Sequence, residues 1–76
     1  RTGTPLRVQE EAAHALRALA TDHVQNQTGI ALGGAIPGLV ALLQRGVPSG
    51  VQEQAAGALH ALAVNHTANQ TAIASA

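Results

Sequence analysis

Apolar and polar positions keep a helical rhythm from Arg7 to Ala20. Val8, Ala12, Ala15, Leu16 and Leu19 recur at three- and four-residue steps, while Gln9, Glu10, His14 and Arg17 fall off that stripe. This spacing predicts a helix with one buried face. Thr4-Pro5 supplies its start, with Pro5 tolerated in the first turn. The same stripe returns in Val51, Ala55, Ala58, Leu59 and Leu62, predicting a second helix over Val51 to Ala63. It follows Pro48-Ser49-Gly50, where Ser49 is the expected cap. A shorter helix is predicted from His23 to Leu32, anchored by Ile30 and ended by Gly33-Gly34. Its counterpart is Thr67 to Ser75, anchored by Ile73. A middle helix opens at Ala35-Ile36-Pro37, with Pro37 in its first turn. Ile36, Leu39, Val40 and Leu43 form its i, i+3, i+4, i+7 face, and Gln44-Arg45-Gly46 closes it. The predicted order is long, short, middle, long, short.

The pattern is a repeat at the level of residues. Gly3 to Leu32 aligns without a gap on Gly46 to Ser75, an offset of 43 residues with 18 of 30 pairs identical. Such a period with helical patterning predicts a stacked solenoid of the HEAT or armadillo type. At 76 residues the chain holds about 1.8 units of the 43-residue period. A second copy of the middle helix is expected after Ala76 and is not in the sequence. The last two helices, and the first long helix, are therefore expected to carry apolar faces without their covering neighbour, and no polar outer face replaces it.

Gly-Ala-Ile-Pro-x-Leu-Val-x-Leu-Leu at Gly34 to Leu43, and Val-Gln-Glu-x-Ala-Ala-x-Ala-Leu-x-x-Leu-Ala in each long helix, resemble the armadillo repeat. The resemblance covers nearly the whole chain. HEAT repeats, with two helices per unit, are the main rival, and the extra short helix argues against them. The resemblance implies an all-α, right-handed α-solenoid of about five helices. It reads residues 1–76 as a single armadillo-repeat fragment: the long helix of one repeat, one complete short-middle-long unit, and a final short helix. Armadillo proteins such as importin alpha and beta-catenin bind extended peptides along a groove lined by the third helix of each repeat. In peptide-binding members that helix carries a Trp and, four residues later, an Asn. Those positions fall here at His14 and Gly57, and at Ala18 and Ala61, so aromatic slots and backbone clamp are both absent. The preceding acidic position falls at Glu11 and Gln54, and only Glu11 keeps its charge. A basic nuclear-localisation peptide is thus a poor expectation.

Composition narrows what the fold can do. Of 35 apolar residues 17 are alanine, with nine Leu, six Val, three Ile and no aromatic residue or Met, so the core is lean. A chain this short buries only about 60% of its unfolded surface, so a lone monomer is expected to be weak. Four Arg balance four acids and no Lys is present, which leaves no basic stripe for nucleic acid. Zero cysteine removes disulfide and thiolate chemistry and fits an intracellular origin, cytoplasmic or nuclear. The longest apolar stretch, Ala35 to Leu43, contains Pro37 and is half the length of a membrane span, so no membrane partner is expected. A start at Arg1 suggests a processed product or an excised piece. Three Asn-x-Thr triplets, at Asn26, Asn65 and Asn69, match the glycosylation pattern, a common chance occurrence.

No constellation points to catalysis. Glu10, Glu11 and Glu53 are expected near helix N-termini, where they offset the dipole. The only serines, Ser49 and Ser75, sit at turns or ends without a base. His14 and His23 are nine apart, and His60 and His66 six apart, unlike the i, i+4 spacing of helical metal pairs. His23 and His66 read as turn or capping residues, and His14 and His60 as groove polar groups. Gly29-x-x-x-Gly33 and Gly34-x-x-x-Gly38 suggest close helix contacts. No cofactor and no metal are expected. The expectation is a non-catalytic protein–protein interaction scaffold whose groove is lined by Glu10, Glu11, His14, Arg17, Glu53, Gln54, Gly57 and His60, taking a protein or extended peptide. Interface hot spots are rich in Trp, Tyr and Arg, and only Arg17 qualifies. The alternative is an excised or engineered repeat unit whose main activity is self-association through uncapped apolar end faces. A homo-oligomer is then expected, with a dimer favoured.

Overall fold

Among the described residues five helices run in the order α1 (Leu6–Ala20), α2 (Val24–Leu32), α3 (Ala35–Ala41), α4 (Ser49–Ala63) and α5 (Thr67–Ser75). The computed structural model describes residues 5–76, and no strand occurs among them. Thr4, expected to help start α1, lies outside the described residues.

Both long helices begin immediately after a proline. Pro5 and Pro48 occupy the N-cap position, with φ of −53° and −55°, and neither helix has a side-chain cap. Ser49 is already the first helical residue of α4 and does not cap it, contrary to expectation. The proline ring holds φ near the helical value, and its carbonyl takes the first bonds, from Gln9 N–H (3.1 Å) and Gln52 N–H (3.0 Å).

The long-to-short turn is built twice in the same way. Thr21 and Val64 are extended (φ −63° and −62°), and His23 and His66 repeat at −139° and −138°. Between them Asp22 and Asn65 adopt φ of 55° and 54°. Asp and Asn are among the few residues that enter this left-handed region readily. Each histidine then caps the short helix: Nδ1 accepts the N–H of Asn26 (3.1 Å) or Asn69 (3.2 Å). The capping role read from the sequence for His23 and His66 is the one observed. Gly34, at φ 89°, makes the left-handed link from α2 to α3, a conformation that strains any residue with a Cβ.

α3 is shorter than its apolar pattern. Ile36 and Leu39 are buried and Val40 half-buried, but Leu43 lies past the last helical residue and is exposed. Leu42 and Leu43 donate to Leu39 and Val40, three residues back. That tightening turns Leu43 off the face it was expected to share. The two Gly-x-x-x-Gly pairs do not mark close helix contacts either, because a Cβ at Gly29, Gly34 or Gly38 would meet nothing within 4 Å.

The core joins the two copies. Ala13, Ala20, Ile36, Leu39, Ala55, Ala58, Leu59, Ala61 and Leu62 form one buried cluster, flanked by Leu16, Ile30 and Ile73. Small alanine side chains let α1 and α4 approach closely, and this pair is the largest helix contact among the described residues. The radius of gyration, 11.7 Å, is close to the about 11.4 Å of a compact chain of this length, so the copies pack on each other. In α4 the predicted stripe is fully buried: Val51, Ala55, Ala58, Leu59 and Leu62. In α1 only Leu16 of the equivalent stripe meets the core. Ala12 and Ala15 are exposed, and so are Val8 and Leu19 (53% and 54%); the buried residues are Ala13 and Ala20 instead. α1 packs through the neighbouring face because α4 lies on that side.

Candidate functional site: the seam between the long helices

Three contacts set the register of the α1–α4 seam. A Cβ placed on Gly50 would lie 3.1 Å from Glu10 Oε2. His14 Nδ1 donates to Gln54 Oε1 at 3.2 Å. A Cβ on Gly57 would lie 2.8 Å from Arg17 Nη1 and 2.9 Å from Arg17 Cδ. Each pair is 40 residues apart (10 and 50, 14 and 54, 17 and 57), so the two helices run parallel in constant register.

The seam opens into two shallow concavities. One, of about 310 Å³, is lined by Arg7, Glu10, Glu11, His14 and Gln54. The other, of about 340 Å³, is lined by Arg17, Thr21, Asp22, Gly57, His60, Ala61 and Val64. Seven of the eight residues selected from the sequence are therefore brought together in two groups along one seam. Glu53, the eighth, is exposed on α4 and lines neither concavity.

The charge of the seam is uneven: its first end carries two carboxylates, Glu10 and Glu11, against Arg7, and its second end sets Arg17 and His60 beside Asp22. None of the acids occupies the first turn of its own helix, so the dipole role expected for Glu10, Glu11 and Glu53 is corrected. Glu10 instead places its carboxylate over Gly50, in the first turn of α4, where a negative charge offsets the positive end of the neighbouring helix. Glu11 pairs with Arg7 one turn back, at 3.7 Å, with both side chains exposed; such a pair contributes about 0.3–0.5 kcal/mol. Arg17 lies in the last turn of α1, near the helix end that favours a cation. Its side chain covers Gly57, so the position where an aromatic slot was sought is already occupied from within.

A second polar layer was missed in the sequence. Gln27, 3% exposed, donates through Nε2 to the carbonyls of Ala61 (2.8 Å) and Val64 (3.0 Å). Asn69, also 3% exposed, donates through Nδ2 to Leu62 O (2.9 Å) and Gln27 O (3.0 Å). His66 accepts at Nδ1, so its neutral ring carries the proton on Nε2 and donates to Thr28 Oγ1 (2.7 Å). These groups tie α2 to the end of α4 and the start of α5. The signal of this layer in the sequence is the Asn-Gln-Thr triplet repeated at 26–28 and 69–71. Asn69 spends its amide on buried carbonyls and is not available to a modifying enzyme.

Among the described residues, no group of three or more His, Asp or Glu could hold a metal ion, and no helix is long and apolar enough to cross a membrane. Comparison with family models, with curated proteins and with solved structures finds no match to this chain.

Proposed function

We propose that the chain is a right-handed α-solenoid segment of the armadillo kind, and that it serves as a non-catalytic scaffold for protein interaction. The α1–α4 seam would take an extended peptide. The supporting observation is the parallel register of the two long helices, which lines up Glu10, Glu11 and His14 with Gln54, and Arg17 with Gly57 and His60. The fitting ligand carries a cation toward the Glu10 end, where two carboxylates face one arginine, and uncharged hydrogen-bonding groups toward the Arg17 end, where Asp22 lines the same concavity. The seam has no aromatic anchor, so affinity is expected to be modest. A labelled library of extended peptides with that charge order, and its reversed order, tests the reading by fluorescence anisotropy. Preference for the stated order, weakened in Arg17→Ala and His14→Ala, supports it. Equal binding of both orders, or equal binding by the variants, sinks it.

A second reading, self-association, is favoured by a separate observation. Val8, Leu19, Val24 and Leu32 are exposed on α1 and α2, and Leu32 is 83% accessible. Exposed apolar groups in this density on a small chain favour a protein partner.

A further inference from the structure

The two copies of the repeat are buried on opposite faces. Ala13 is 1% exposed and Gln27 3%, whereas their equivalents Ala56 and Gln70 are exposed. Conversely Val51 and Leu62 are buried, whereas Val8 and Leu19 are exposed. The outer face of α4–α5 is thus a second version of the inner face of α1–α2. The outer face of α1–α2 is likewise a second version of the inner face of α4–α5. We infer that a second copy of this chain docks head to tail, the α4–α5 outer face of one on the α1–α2 outer face of the other, extending the seam that already joins the copies within one chain. This rests on the self-association reading and specifies its polarity.

The hydrogen-bonding groups needed for that joint are in place. Gln70 Nε2, which turns back to Ala63 O (2.9 Å), would reach the carbonyls of Ala18 and Thr21 of the next copy, as Gln27 reaches Ala61 and Val64. His23 accepts at Nδ1, so its Nε2–H faces the place that Thr71 Oγ1 would take, as His66 meets Thr28. Asn26 Nδ2 donates to Leu19 O (2.8 Å) and lacks, among the described residues, the second carbonyl that Asn69 has in Gln27 O. Gln70 O of another copy would supply it. Pairing like faces instead would set Gln70 amides against each other and leave these carbonyls unmatched. The joint is therefore heterologous and does not close at two copies by symmetry. A second copy brings no equivalent of α3 to the joint, so it packs less fully than the internal seam.

The chain has no cysteine, so one introduced thiol is unique. Thr21→Cys and Thr71→Cys are made in separate chains, and treated with the bismaleimide whose span joins Thr28→Cys to Val64→Cys within one chain. Covalent dimers are expected when the two variants are mixed and not from either alone. Sedimentation velocity of the unaltered chain, from micromolar to millimolar, is expected to show mass rising past the dimer. Ala56→Glu, at an exposed helical position, is expected to weaken association roughly tenfold with unchanged circular dichroism. Dimers from either single variant at the yield of the mixture, a mass that stops at two, or association indifferent to Ala56→Glu would overturn the head-to-tail joint and leave self-association standing. A folded monomer throughout would remove both, and neither result touches the peptide titration.

Discussion

Val8 and Val51 occupy one place in two copies of the same sequence, yet one is 53% exposed and the other 3%. The contrast extends along the helix, with Leu19 at 54% and Leu62 fully buried. Intrinsic helix preference does not separate them, since both stretches form 15-residue helices with the same apolar stripe, and the buried copy is the one with two glycines in it. What differs is the company each helix keeps. α4 packs on α1, α2, α3 and α5, whereas the main contacts of α1 are with α4 and α2. Burial here is a property of position in the stack, and the same apolar stripe is core in one copy and surface in the other.

That contrast is open to direct attack. The largest effect is expected from leucine truncation: Leu62→Ala should cost about 3 kcal/mol, while Leu19→Ala should cost less than about 1 kcal/mol. Urea melts at a dilution that suppresses association would measure both. Equal losses would mean that the two faces are not distinguished as described. Next come the glutamines. Gln27→Ala removes two bonds and strands buried carbonyls, for about 2 kcal/mol, whereas Gln70→Ala should stay within about 0.5 kcal/mol. Differential scanning calorimetry under the same dilution would compare their melting temperatures, and similar shifts would count against an inter-copy role for Gln27. The histidines sharpen the picture at smaller scale. Both His23→Ala and His66→Ala lose an N-cap, worth about 1 kcal/mol. His66→Ala also loses its bond to Thr28 and should exceed its twin by about 0.5–1 kcal/mol. Thermal unfolding of the pair would reveal that difference, and identical melts would place no value on the cross-copy bond. Smallest is Gly57→Ala, expected to stabilise the chain by about 0.5 kcal/mol, because helix propensity improves and the flexible end of Arg17 can move aside. A clear loss of stability in chemical denaturation would show that Arg17 is held in place over Gly57.

Much of the architecture could be read before any coordinates. Thr67–Ser75 matches its prediction, and the other helices shift by a residue or two, because three- and four-residue apolar steps and the Gly33-Gly34 stop are local signals. Seven candidate groove residues share the α1–α4 seam because two parallel helices in constant register bring one face of each together; that register is 40 residues rather than the 43 of the repeat, and Glu53, the equivalent of Glu10, falls outside it. Ser49 does not cap α4 because Pro48 starts the helix one residue earlier than a side-chain cap at Ser49 requires. Leu43 leaves the expected face because tight i to i−3 bonds end α3 before its apolar pattern does. Gln27 and Asn69 escaped notice because an amide on a short polar helix looks solvated until a carbonyl from 34 or 42 residues away meets it.

Periodicity, turn residues and the internal repeat were enough to establish helices, their order and the likeness of the two copies, since each depends on neighbours a few residues apart. Which of two equivalent stripes would be covered, which glycine would lie under an arginine, and which amide would tie the copies together depended on what packed alongside. Those outcomes arise between segments about 40 residues apart, at distances where a helical rhythm carries no information.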